Sequence, residues 1–196
     1  MTRNIVCGSV VAGAFVATLG TTACTGDASA AATQARVERG KYLVTVGGCN
    51  DCHTPLKMGA KGPEPDMSRM LSGHPDSFPI TAGTSPVSDK WMMTAAASGT
   101  AFSGPWGVSF AANLTPDQNT GLGIWTEDMF MKTLRTGRHM GVSREILPPM
   151  PWFNYGEMTD ADLKAVYAYL RTIPPVHNRV AVPLPPAAPQ VARSGS

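Results

Sequence analysis

Two cysteines spaced two residues apart, with a histidine directly behind them, constrain this chain more than any other stretch: Cys49-Asn50-Asp51-Cys52-His53. On a helical turn, positions i, i+3 and i+4 share one face, so a short helix here would present both thiols and the imidazole together. Three chemistries can use such a face. Structural zinc needs four ligands, and the sequence has no second cysteine pair downstream to complete the set. Thiol–disulfide exchange needs only the CxxC, normally opening a helix after a strand. No strand-rich pattern precedes it, and His53 is left without a role. Covalent haem attachment uses every residue, with a thioether to each cysteine and His53 aimed at the iron. We read the motif in this last sense.

The other cysteines sharpen the compartment. The chain has four: Cys7 and Cys24 lie near the N-terminus, and only Cys49 and Cys52 lie in the body. Arg3 precedes an apolar run from Ile5 to Leu19 that is broken by Gly8, Ser9, Gly13 and Thr18. The run falls short of the roughly 20 apolar residues of a stable membrane span, so residues 1–24 are expected to be an export signal. Cleavage before Cys24 would leave a lipidated cysteine, although Thr21 departs from the usual lipoprotein pattern; the triplet Ala28 to Ala30 offers the other cut. Either way one closely spaced thiol pair remains, which excludes a disulfide scaffold. A net charge of +2 with scattered basic residues carries no nucleic-acid footprint.

With 20 glycines and 17 prolines, short helices joined by irregular connections are expected. Residues 25–33 are small and polar and read as a tether. A helix is expected from near Thr33 to Gly47-Gly48, with Val37, Tyr42, Val44 and Val46 as its apolar face and Gly40 allowing close approach of another backbone. From Pro55 to Ala112 no periodicity emerges, beyond a turn of helix at Asp66 to Leu71. So long a segment tends to be functional or packed around something, which a haem would supply. Order returns after the turn at Thr115-Pro116-Asp117. Thr126 caps a helix carrying Phe130 and Leu134, and Gly137 closes it. Thr159 caps the last helix, Asp162 completes a capping-box pattern, and Leu163, Val166, Tyr167 and Leu170 fall at helical spacing before Pro174-Pro175. Residues 181–196 form a Pro-rich extended tail.

A second axial ligand is sought among the remaining Met and His residues. Met150 stands out because Pro149 and Pro151 bracket it, and restricted neighbours present a thioether with little entropy left to lose. His74, Met140 and His139 are the alternatives; otherwise His74, like His177, is a solvated loop residue. Trp106, Trp125, Trp152 and Phe153 are candidates to wall the pocket, Trp152 foremost because it follows Met150 so closely. Arg135, Arg138 and Arg144 are either a basic docking rim, propionate partners or solvated charges.

The stretches GKYLVTVGGCNDCHTP, NLTPDQNTGLGIW, LRTGRH, PPMPW and DADLKAVYAYLRTIPPV together resemble the class I c-type cytochromes, especially the haem units in cytochrome subunits of bacterial periplasmic alcohol and sugar dehydrogenases. The likeness covers about residues 36–179 apart from the middle loop. It implies an all-α, cytochrome c-like fold over 34–180, with N- and C-terminal helices crossing around a covalently bound haem, a long irregular loop insertion, and Gly40 meeting Val166 and Tyr169. It also implies one haem c attached through Cys49 and Cys52, with His53 and Met150 as iron ligands. Subunits of that kind usually carry three haem units where this chain has one motif. The expected function is single-electron transfer in the periplasm, from a dehydrogenase or other redox protein toward the respiratory chain, with membrane association through Cys24 if it is lipidated. The alternative is a haem enzyme or sensor with an open distal position.

Overall fold

The computed structural model describes residues 25–81 and 90–186. The export segment with Cys7 and Cys24, and the end of the tail, lie outside the described residues. Helix α1 (Thr25–Val46) runs into the short α2 (Cys49–His53), and α3 (Glu127–Thr136), α4 (Trp152–Tyr155) and α5 (Asp160–Leu170) follow the middle segment. The first helix starts at Thr25 rather than near Thr33, so the stretch read as a tether is helical, and residues 28–36 are all exposed. Its buried face also differs from expectation: Leu43 and Val44 point inward, while Tyr42 and Val46 are 57% and 60% exposed. Among the described residues no helix is long and apolar enough to cross a membrane.

Both later helices start and stop for local reasons that the sequence displays. Thr126 Oγ1 accepts the Met129 N–H, and Gly137 ends α3 in the left-handed conformation at φ 66°. Thr159 Oγ1 likewise accepts the Asp162 N–H at the start of α5. The Asp162 carboxylate, expected to complete a capping box, accepts from Arg39 Nε of α1 at 2.9 Å instead. It thereby ties the two crossing helices together.

Helices α1 and α5 cross where Gly40 meets the Ala165 backbone. A Cβ placed at Gly40 would sit 1.9 Å from the Ala165 carbonyl oxygen and 2.8 Å from Tyr169 Cβ. Tyr169 is a partner the resemblance implied, and the nearest atom of all belongs to the Ala165 carbonyl. One core is formed by Leu43 and Val44 of α1, Phe130 and Leu134 of α3, and Leu163, Val166 and Leu170 of α5, with Leu71, Leu122 and Ile173. Each such side chain contributes about 1.5–3 kcal/mol by leaving water.

The all-α expectation is overturned by the middle segment. Strands β1 (Leu56–Gly59) and β2 (Gly62–Pro65) form an antiparallel hairpin, and β3 (Thr94–Ala95), β4 (Ala101–Gly104) and β5 (Gly107–Phe110) form a three-stranded antiparallel sheet in the order β3-β4-β5. The described fold is therefore mixed α/β, and much of the insertion is ordered hairpin rather than irregular loop. The strands escaped a sequence reading because they are only two to four residues long, and glycine and proline interrupt any alternation. Their visible trace is two Gly-x-x-Gly brackets, Gly59 to Gly62 and Gly104 to Gly107, each enclosing a two-residue turn. The expected helical turn is present as a 3-10 turn at Met67–Arg69, capped by Asp66. The start of the tail is strapped down, since Leu184 and Val108 exchange backbone hydrogen bonds of 2.9 Å in both directions.

Candidate haem site

Gly47 and Gly48 let the chain leave α1 and immediately begin another helix. Gly48 takes φ 66°, a conformation that costs glycine nothing, and serves as the N-cap residue of α2. The α2 turn then places Cys49, Cys52 and His53 on one face, as the spacing predicted. Cys49 packs against the hydrophobic core, and both thiols are free. Burial pushes the Cys49 thiol up to about 11, and burial raises that of Cys52 as well. A thiol–disulfide exchange centre needs the opposite, a depressed pKa that supplies thiolate at neutral pH. The electrostatics of the turn thus disfavour a redox dithiol.

His53 is 7% exposed, and its Nδ1 lies 2.7 Å from the Ala112 carbonyl oxygen. A carbonyl can only accept, so Nδ1 carries the proton and Nε2 is left with its lone pair. Burial holds the imidazole pKa below its ordinary value, which favours the neutral, metal-binding form. Hydrogen bonds also hold the chain around it: Gly73 N–H donates to the His53 carbonyl at 2.8 Å, and Leu71 N–H donates to Thr54 Oγ1 at 2.9 Å. Ala112 was not singled out in the sequence because its contribution is a backbone carbonyl, which any residue carries. Tyr155 was missed too. Its hydroxyl donates to the Gly47 carbonyl at 2.5 Å, pinning α4 to the start of the thiol turn. The signal available was an aromatic with a polar tip close behind the Pro-Met-Pro stretch.

Met150 is half-buried and packs against the same core as Cys49. Trp152 opens α4 with its indole laid over Gly137, where a Cβ would approach Trp152 Cε2 to 2.4 Å. The alternative ligands fare differently. His74 is buried, not solvated; its Nδ1 lies 3.0 Å from Thr100 Oγ1 and its Nε2 donates to the Phe78 carbonyl at 2.9 Å, so both nitrogens are occupied. The His139 ring stands edge-on to Trp125, with 5.1 Å between centroids, and Met140 lies in the same 3-10 turn. His177 is exposed and 3.5 Å from Asp117. Phe153 is largely exposed, and Trp106 folds over Gly104 in the β4–β5 hairpin. Of the three arginines, Arg135 bonds the Gly156 carbonyl and Asp160, Arg138 reaches the Ser143 carbonyl and Glu145, and Arg144 reaches the Glu145 carbonyl.

These residues fit a covalently held porphyrin. A pair of desolvated thiols and a neutral imidazole with one free nitrogen are the donor set it needs. Among the described residues three buried groups, Arg69 Nε, Ser72 Oγ and Trp106 Nε1, also have no hydrogen-bond partner. Such orphans are rare and call for an acceptor, and a porphyrin brings two carboxylates.

The comparisons with known proteins agree. The family model for cytochrome c matches residues 37–174. The gluconate 2-dehydrogenase cytochrome c subunit of Pantoea cypripedii is 30% identical over 151 residues, covering 77% of this chain and 26% of that protein. The fructose dehydrogenase cytochrome subunit of Gluconobacter japonicus is 29% identical over 143 residues, covering 73% and 22%. The cytochrome c subunit of the quinone-linked alcohol dehydrogenase of Gluconacetobacter polyoxogenes is 31% identical over 147 residues, covering 74% and 26%. The chain thus spans about a quarter of the length of these relatives. Because the family model takes in most of the chain and the cysteine pair with its histidine stands inside the matched region, the chain belongs to the cytochrome c family and its cofactor is covalently bound haem c.

Proposed function

We propose that this protein is a monohaem electron carrier of the periplasm that accepts single electrons from a dehydrogenase and passes them toward the respiratory chain. The observation that carries the proposal is the Nδ1–H of His53 held by the Ala112 carbonyl, which leaves Nε2 free on the same helical face as Cys49 and Cys52. Those two cysteines would form the thioethers to the haem, and His53 and Met150 would hold its iron. Trp152, seated on Gly137, walls the site beside Met150. Bound haem supplies one-electron cycling between Fe(II) and Fe(III).

The chain's own residues set the terms of that cycling. The Ala112 carbonyl keeps the His53 ring from rotating and the Gly73 N–H holds the His53 backbone, so the ligand need not reorganise when the charge changes. A neutral thioether from Met150 favours the reduced form, and the apolar core behind Cys49 and Met150 excludes water. With two protein ligands no position is left for a substrate. The names of the relatives, cytochrome subunits of gluconate, fructose and alcohol dehydrogenases, support a dehydrogenase as donor. Arg3 and the apolar run from Ile5 to Leu19 support export, with lipidation of Cys24 as the means of holding the protein at a membrane surface.

Expression with its own leader in a host competent for haem attachment tests this. The secreted protein should gain the mass of one haem, bind carbon monoxide slowly when reduced, and lose the red thioether charge-transfer band in Met150→Ala. Colourless product without added mass would sink the haem assignment; immediate carbon monoxide binding by the unaltered protein would instead indicate an open-site haem enzyme or sensor.

A further inference from the structure

The segment around Met150, from Pro148 to Pro151, is poor in its own means of attachment. Pro148, Pro149 and Pro151 have no N–H, so its anchoring must run largely through its carbonyls. Two of these turn into α4: the Met150 carbonyl accepts from Trp152 N–H at 2.9 Å, and that of Pro151 accepts from Asn154 N–H at 3.0 Å. The third reaches outside the segment. The Pro148 carbonyl accepts from Ser109 Oγ on β5 at 2.5 Å.

Ser109 is built for that contact. It is 7% exposed, and the register that pairs it with Phe102 fixes its strand. Its hydroxyl has one proton and two acceptors in range, the Phe102 carbonyl at 3.4 Å and the Pro148 carbonyl at 2.5 Å; the shorter contact takes it. The neighbouring Val108 is fastened to Leu184, and three residues beyond Ser109 the same chain delivers the Ala112 carbonyl to His53. Strand β5 and the residues just after it therefore hold the segments of both His53 and Met150.

We infer that Ser109 is a positioning residue for the distal ligand: its hydrogen bond to Pro148 holds Met150 against release from the iron. This rests on Met150 being that ligand, as proposed above. An external ligand can bind ferric iron only in the fraction of molecules where Met150 is off, so its apparent affinity reports that fraction. Ser109 is buried but Pro148 is exposed, so water can replace the hydroxyl at the carbonyl and the loss is the net worth of one hydrogen bond, which supports a change of about fivefold.

The test is imidazole titration of the ferric holoprotein. Ser109→Ala should bind imidazole about fivefold more tightly than the unaltered protein, and Ser109→Thr should restore the original affinity. Met150→Ala should bind more tightly still, and adding Ser109→Ala to it should change nothing further. Equal tightening by Ser109→Ala with and without Met150 would overturn the inference, as would no tightening at all while Met150→Ala tightens. If Met150→Ala itself has no effect, the ligand assignment fails and this inference with it, which is a distinct result. Should Ser109→Ala not fold, the Thr and Val variants at 109 make a pair that differs in the hydroxyl; tighter binding by Val alone supports the inference and equal binding overturns it.

Discussion

In the helical frame α1, α3 and α5 meet through Leu43, Val44, Phe130, Leu134, Leu163, Val166 and Leu170, all buried and apolar. Between Pro55 and Ala112 the fastening is polar. Asn178, fully buried, donates to the Ser72 and His74 carbonyls at 2.7 and 2.9 Å and accepts from Arg69 Nη2 and the Asp76 N–H. Asn113 donates to the Val176 carbonyl and accepts from Thr115, and His74, Ser98 and Thr100 bond one another behind β4. The difference teaches how an insertion with little apolar periodicity can be held: directional bonds from a few buried amides and hydroxyls replace burial of a regular face. Frame and insertion then meet at His53, where α2 supplies the ring and the end of the insertion supplies its acceptor.

The comparison can be broken at the frame first. Gly40→Val drives side-chain atoms into the Ala165 carbonyl, and since neither helix backbone can yield cheaply the loss should reach about 3 kcal/mol or more, read by denaturant unfolding. Asn178→Ala should cost less, about 1–3 kcal/mol for carbonyls left unpaired, and should speed hydrogen exchange around residues 69–76 while α1 and α5 keep their protection. Uniform loss of protection would show that insertion and frame unfold as one.

The smallest effect is electrostatic. The hydrogen bond from Arg39 holds the Asp162 carboxyl below its ordinary pKa. A depressed carboxylate stabilises the fold above its unfolded pKa of about 3.9, and that contribution fades as pH falls through the lower folded value. Asp162→Asn should therefore flatten the acid limb of the stability curve and leave stability above that limb with little further pH dependence. The pair is exposed enough that salt should shrink the difference.

What could be read in advance divides along the same line. The caps Thr126 and Thr159, the Gly137 stop and the spacing of Leu163, Val166 and Leu170 were legible because helix signals are local, lying within a turn or two of the residues they govern. So was the face shared by Cys49, Cys52 and His53. The hairpins were not, because a four-residue strand containing Gly62, Pro63 and Pro65 has no pattern to distinguish it from loop. The burial of His74 was equally invisible: its partners Thr100 and Phe78 flank a segment that gives no hint of which way the ring turns.

The sequence by itself determined the covalent chemistry, since two thiols and an imidazole at helical spacing need only a single turn to converge. Tertiary structure decided which nitrogen of His53 is free and what grips the chain before Met150. Those outcomes depend on the Ala112 and Pro148 carbonyls, 59 and 39 residues from His53 and Ser109 respectively, and a backbone carbonyl leaves no mark in a sequence until the fold brings a donor to it.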